Sequence, residues 1–138
     1  DISIVRYSKG MDYIEFAGAN HSLLLVKSNN ARDGLEMIEY KGEKMSASYH
    51  PRMKPFTSQR IEVGSNDQFY LFTDGFYHQL GGHMYTQKFG KENFKKLILD
   101  NARNEMESQK SIIEDTFFRW VSMESDQLDD ITIMGFKI

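Results

Sequence analysis

The sequence predicts an α+β fold in which helices cover one face of an antiparallel sheet. Three observations carry that expectation. Short alternating β-rich runs fill the first half, two amphipathic helical stretches follow, and one more β-rich run closes the chain. Strands, then a helix pair, then a strand is the order of segregated layers, not of alternating βαβ units. With 138 residues, 40% hydrophobic and 27% charged, the chain is long enough for one soluble domain with a core of its own.

From Asp1 to Tyr40 there are four strand-like runs: Ile2 to Tyr7, Tyr13 to Ala17, Ser22 to Lys27 and Leu35 to Tyr40. Turn chemistry separates them at Lys9-Gly10-Met11-Asp12, at Gly18-Ala19-Asn20 and at Asn29-Asn30-Ala31-Arg32-Asp33-Gly34, so they read as an antiparallel meander. The Gly18-Ala19-Asn20-His21 turn reads as a strand corner that tolerates no side chain, ahead of a binding loop. Lys41 to Gln59 holds both prolines and reads as a surface loop, with His50 simply solvated. Arg60 to Val63 alternates again, and Gly64-Ser65-Asn66-Asp67 turns it into Gln68 to Phe72, as a hairpin.

Two helices are expected next. In the first, beginning near Gly90, Phe94, Leu97, Ile98 and Ala102 share a face opposite Lys91, Glu92, Lys95, Lys96 and Asp100. In the second, Met106, Ile112, Ile113, Phe117, Trp120 and Val121 form an apolar stripe, and Asn104 followed by Glu107 suits a cap at its start. Trp120 is expected as a packing anchor against the sheet. Ser122 to Gln127 ends the helix, and Ile131 to Ile138 is the last strand.

Composition narrows the function classes. A net charge of -3, with 17 basic residues in no long run, gives no nucleic-acid footprint and no reason to favour acidic lipid surfaces. The absence of cysteine excludes disulfides, thiolate metal sites and a cysteine nucleophile. No apolar run has membrane-spanning length and no signal-peptide pattern opens the chain, which suits a cytoplasmic protein, or a full-length protein anchored to a membrane through upstream regions. The chain begins without methionine, directly inside a strand-like run, and so reads as a fragment.

Chemistry is expected where Gln68-Phe69-Tyr70-Leu71-Phe72 runs into Thr73-Asp74-Gly75, because a strand ending in such a turn presents a carboxylate at its edge. Gln127-Leu128-Asp129-Asp130 places a second acidic pair at the start of the last strand. If those strands are antiparallel neighbours, Asp74 and Asp129 share a rim. Two carboxylates about 4 Å apart repel by roughly 4 kcal/mol at an effective dielectric near 20. A hard divalent cation offsets that cost and can activate a bound water. The plainer alternative is that Asp-Gly is only a turn and Asp-Asp only a solvated loop. A zinc site using His78, His83 and Asp74 fits no standard helical spacing, and Gly81-Gly82 interrupts it. The diglycine is expected to let the chain swing away from the rim.

In this order and spacing, Phe16-Ala17-Gly18-Ala19-Asn20, Tyr70-Leu71-Phe72-Thr73-Asp74-Gly75, Gln79-Leu80-Gly81-Gly82 with Lys88-Phe89, Met106-Glu107-Ser108-Gln109 and Gln127-Leu128-Asp129-Asp130-Ile131-Thr132 resemble the metal-dependent protein phosphatases of the PPM, or type-2C, superfamily. The resemblance is to the bacterial SpoIIE-like branch and covers nearly the whole chain. It implies an antiparallel β-sandwich with helix pairs on the outside, residues 1–138 being the C-terminal portion of one such domain. It also implies a dinuclear manganese or magnesium centre with Asp74 and Asp129 as metal ligands and catalytic residues, Asp130 supporting them. The activity implied is hydrolysis of phosphoserine or phosphothreonine by metal-bound water. The partners implied are a phosphorylated regulatory protein of the anti-anti-sigma kind and an upstream sensor or receiver domain.

One departure stands out. The bridging aspartate of the family, in an Asp-x-Thr-Gly-His-Gly-like segment, does not occur in this sequence. Two carboxylates are too few for cations that prefer about six oxygens. Weak metal binding, little activity of this chain alone, and self-association through uncovered edges are therefore expected. The competing reading is a degenerate phosphatase fold that binds a phosphoprotein without turnover. A nuclease with paired carboxylates is disfavoured by the lack of a basic groove.

Overall fold

A computed structural model describes residues 1–29, 34–49, 51–82, 86–121 and 126–138. The centre of the Asn29-to-Gly34 turn, His50, His83 and the residues following the second long helix, 122–125, lie outside the described residues. The chain divides into two compact units, Asp1–Phe72 with Met134–Ile138, and Thr73–Ile133. Among the described residues no helix is long and apolar enough to cross a membrane.

The first unit contains two antiparallel sheets. One has the order β1 (Ile2–Tyr7), β2 (Tyr13–Ala19), β5 (Gln59–Glu62), and the other β4 (Gly34–Lys41), β3 (Ser22–Asn29), β6 (Gln68–Phe72), β9 (Ile133–Lys137). Ile14, Phe16 and Ile61 from the first sheet and Leu23, Leu25 and Phe69 from the second form a single buried cluster, so the sheets make a sandwich. Alternation along each strand puts these residues on the inner faces. Leu24, Val26 and Tyr70 point the other way from β3 and β6 and are also buried. These central strands are thus apolar on both sides, which explains the unbroken run Leu23-Leu24-Leu25-Val26. Register is fixed by pairs such as Leu23 with Leu71 and Leu25 with Phe69.

Two expected connections are corrected. The first four strands are not one meander, because β1 pairs with β2 and β3 with β4, but β2 and β3 lie in different sheets. The chain changes sheet at Gly18-Ala19-Asn20-His21, where Asn20 has φ 60° and a Cβ on Gly18 would lie 2.5 Å from the His21 carbonyl oxygen. The corner is therefore real, and only glycine fits it. Likewise β5 and β6 are not a hairpin, since β5 pairs with β2 and β6 with β3. In both cases the alternation marks a strand correctly and leaves open which strand it meets.

Asp67 holds the second crossing. Its side chain, 3% exposed, accepts the Gly64 amide at 2.9 Å and the Ser28 amide at 3.2 Å. Its carbonyl accepts the Ile138 amide at 3.1 Å, and the Asn66 amide donates to Ile138 at 2.8 Å. The start of β6 thus lies beside the end of β9, so these neighbouring strands run antiparallel. Burial, and then the negative charges of Asp67 and Glu36, push the Tyr40 phenol up from its ordinary value.

The second unit is built on helices. It contains the short α1 (Gly75–His78), the two-stranded pair β7 (Leu80–Gly81) and β8 (Gln87–Lys88), α2 (Lys91–Asn101) and α3 (Met106–Val121). Phe76 is 1% exposed and touches Phe89, Phe94 and Phe117 at centroid separations of 5.0, 5.2 and 5.4 Å. Edge-on and tilted ring packing of this kind adds to the burial energy. The expected cap at Asn104 is corrected. The Glu105 carbonyl accepts the first helical bond of α3 from Gln109, and the Asn104 side chain donates back to Asn101.

Removing the Asp67 carboxylate takes an acceptor from two amides of the crossing. Asp67→Ala is expected to lower stability by about 2–4 kcal/mol, read as a shift of the urea midpoint at unchanged slope. Asp67→Asn, which keeps one acceptor, should lose about half of that.

Candidate metal-ligand site

Asp74 stands at the N-cap of α1, immediately after Thr73, where the chain leaves β6. The segment Thr73-Asp74-Gly75 lies against Asp130-Ile131-Thr132 within the second unit. The Thr73 amide donates to the Thr132 carbonyl at 2.9 Å. The Thr73 hydroxyl accepts the Thr132 amide at 2.9 Å and donates to the Asp130 carbonyl at 3.0 Å. Gly75 closes the contact, since a Cβ there would lie 2.5 Å from the Asp130 carbonyl oxygen. The two stretches expected to carry the carboxylates are therefore adjacent. Asp129 follows a loop that is not yet strand, because β9 begins only at Ile133.

The Asp74 side chain is about half exposed, and its Oδ2 lies 3.3 Å from His78 Nδ1, one helical turn on. Asp129 is exposed, its Oδ1 accepts the Asp130 amide at 2.8 Å, and its carbonyl accepts Gln127 Nε2 at 2.8 Å. His78 thus faces Asp74, whereas His83, its partner in the zinc alternative, lies outside the described residues.

The donor chemistry can be tested against a hard divalent cation. Both carboxylates supply oxygen, the atom magnesium and manganese prefer. The number of donors does not suffice, because among the described residues no group of three or more histidine, cysteine, aspartate or glutamate side chains could hold a metal ion. Two aspartates reach well short of the roughly six oxygens such ions take. These residues alone do not make a cation site, and no reaction step can be built through one here.

The surroundings hold residues whose part in the fold the sequence does not announce. Gln79 ends α1 and is fully buried. Its side-chain amide donates to the Asp126 carbonyl at 2.9 Å and to the Leu80 carbonyl at 3.1 Å, and its oxygen accepts the Leu128 amide at 3.1 Å. A glutamine set among Leu80, Phe76 and the two glycines was the available signal, since a polar residue in an apolar stretch must be satisfied if it is buried. Trp120 is a packing anchor as expected, but its seat is the diglycine. A Cβ on Gly81 would lie 2.7 Å from indole Cδ1, and one on Gly82 3.2 Å from Cη2. The indole also meets Phe89 edge-on at 5.3 Å and donates Nε1–H to the Gln79 carbonyl at 3.1 Å. Gly81-Gly82 therefore receives the indole, a role that swinging the chain away from the rim does not describe.

Because Gly75 has no room for a side chain, Gly75→Ala is expected to force Asp130 away from Thr73. The cost should be about 1–3 kcal/mol in urea unfolding, with the largest amide shift changes at residues 130–132.

Comparison with known proteins follows the same lines. No curated protein matches the chain. The SiaA-PP2C domain of Pseudomonas aeruginosa is similar in structure, with a TM-score of 0.76 at 27% identity, over 92% of this chain and 47% of that one. The chain thus spans about half the length of that phosphatase-fold domain. The family described as Stage II sporulation protein E (SpoIIE) matches residues 2–138. With its Thr-Asp-Gly strand end held against the Asp-Asp-Ile-Thr segment, in a mixed fold of antiparallel sheets and helices, the chain belongs to the SpoIIE family of PPM-type phosphatase folds.

Proposed function

We propose that this chain contributes Asp74 and Asp129 to the manganese or magnesium centre of a protein serine/threonine phosphatase, with the remaining oxygen ligands supplied from outside this sequence. The observation that carries the reading is the hydrogen-bonded apposition of Thr73-Asp74-Gly75 with Asp130-Ile131-Thr132, in a chain matched to the SpoIIE family along nearly its whole length. When complete, such a centre supplies an activated water and charge neutralisation for phosphoryl transfer. The part of this chain is to hold two carboxylates on a rigid rim and to keep their segments in register. The substrate on this reading is a phosphorylated regulatory protein of the anti-anti-sigma kind, with an upstream sensor or receiver domain controlling access to it.

A second reading is favoured by the small number of donors among the described residues: a phosphatase fold that binds a phosphoprotein without turnover. The two readings separate in the full-length gene product. The enzyme releases phosphate from a phosphoserine peptide with added manganese, whereas the binding module retains the peptide unchanged.

Two outcomes are expected. The 138-residue chain titrated calorimetrically with manganese should bind at about millimolar affinity or weaker, as two carboxylates allow, and tight binding would contradict the proposed sharing of ligands. In the full-length gene product Asp74→Ala should reduce phosphate release by more than about 100-fold without loss of the folded state. Undiminished release from that variant would remove Asp74 from the site.

A further inference from the structure

We propose that Gln79 is the positioning residue for Asp129, and that α1 sets the spacing between the two carboxylates by carrying Asp74 at one end and the clamp for Asp129 at the other. The inference rests on the reading of Asp129 as a site carboxylate. It begins from an observation that reading does not use: a glutamine with no exposed surface whose side chain bonds to a segment 47 to 49 residues further along the chain.

The geometry of those bonds is specific. A primary amide has one N–H2 group and one carbonyl oxygen, the same groups a peptide unit offers to a neighbouring strand. Gln79 uses them in that way. It donates to the carbonyl of Asp126 and accepts from the amide of Leu128, the two groups on either side of Gln127. One side chain thus does for residues 126–128 what a paired strand would do. Its second N–H satisfies Leu80, so both N–H groups and the oxygen are engaged. The backbone of Gln79 is fixed independently. Its amide donates to Gly75 at 3.0 Å, and its carbonyl accepts the Phe89 amide and the Trp120 indole, both at 3.1 Å.

Asp129 therefore lies between two anchors. Gln79 holds the chain just before it, and the Thr73 hydroxyl holds Asp130 and Thr132 just after it. Both anchors belong to residues flanking α1, the turn that begins at Asp74. Leu128 itself contributes no packing comparable to this, with its side chain 59% exposed. The loop is held at that point by the buried side-chain amide of Gln79.

The test begins with the unsubstituted 138-residue chain and amide hydrogen exchange. The Leu128 amide sits under an exposed side chain, and it should nevertheless exchange within about tenfold of the slow amides of α3. Exchange at the unprotected rate overturns the proposal without any variant. Gln79→Met removes the clamp while keeping the length of the side chain and the backbone carbonyl that Trp120 uses. It should speed exchange at Leu128 and Asp130 at least about tenfold, leaving β3 and α2 unchanged. A uniform rise across the fold marks a purely structural role and contradicts the proposal. In the full-length gene product the same variant should lower kcat for a phosphoserine peptide about 10- to 100-fold with KM within about twofold. Gln79→Glu, which retains the acceptor for Leu128, should recover part of that loss. Unchanged kcat in Gln79→Met beside a dead Asp129→Ala sinks the positioning role alone. Full activity in Asp129→Ala sinks the underlying assignment instead, whatever the exchange of Leu128 shows.

Discussion

Everything proposed for this chain depends on one clip. The Thr73 hydroxyl takes the amide of Thr132 and gives its proton to the carbonyl of Asp130, while Gly75 leaves room for that carbonyl to approach. Valine has the shape of threonine and no hydroxyl, and alanine has the one atom too many that Gly75 omits. The Thr-Asp-Gly turn is therefore a docking surface for a distant piece of backbone as much as a way of showing a carboxylate. A slip of one residue in such a contact would turn every side chain to the other face, so the clip fixes direction as well as distance.

The parts of the fold that were legible in the sequence are those that local periodicity controls. Alternation located β1 to β6 to within a few residues, and the apolar faces of Phe94, Ile98 and Ala102 and of Ile113 and Phe117 located α2 and α3. What alternation cannot express is which strand meets which. The runs either side of Gly18 look like a meander, and those either side of Asn66 look like a hairpin. Each is a crossing between sheets, made by residues with positive φ and by the double acceptor Asp67. Asp74 and Asp129 stand out in the sequence because acidic residues lie beside expected strand ends, and the roles proposed for them come from the family resemblance. In the sequence Gln79 stands out only as part of a motif. A glutamine reads as surface in a sequence, and its burial depends on loop residues nearly fifty positions away. The diglycine likewise reads in the sequence as a breaker, whereas in the fold it receives the indole of Trp120.

The chemistry follows from how many oxygens converge. Two carboxylates brought within about 4 Å of each other would repel by roughly 4 kcal/mol at an effective dielectric near 20, which is the physical reason a cation is proposed for a rim that carries both. The same count limits what they can do unaided, since hard cations keep several more oxygens around them. On the proposed reading, a chain that spans 47% of a similar phosphatase-fold chain and carries two such groups is one wall of a shared site. On that reading rigidity is its main contribution, supplied by the part-buried bonds of Gln79 and Trp120 and by the exposed bonds of Thr73.

The central claim, that the groups at positions 74 and 129 lie on one rim, can be measured directly because the native chain has no cysteine. Asp74→Cys and Asp129→Cys combined in one chain, treated with a short bifunctional thiol reagent, would report their proximity. Efficient bridging within one molecule in the folded state, abolished in urea, is the result expected. Modification of each thiol separately, with no bridge in the folded chain, would contradict the account.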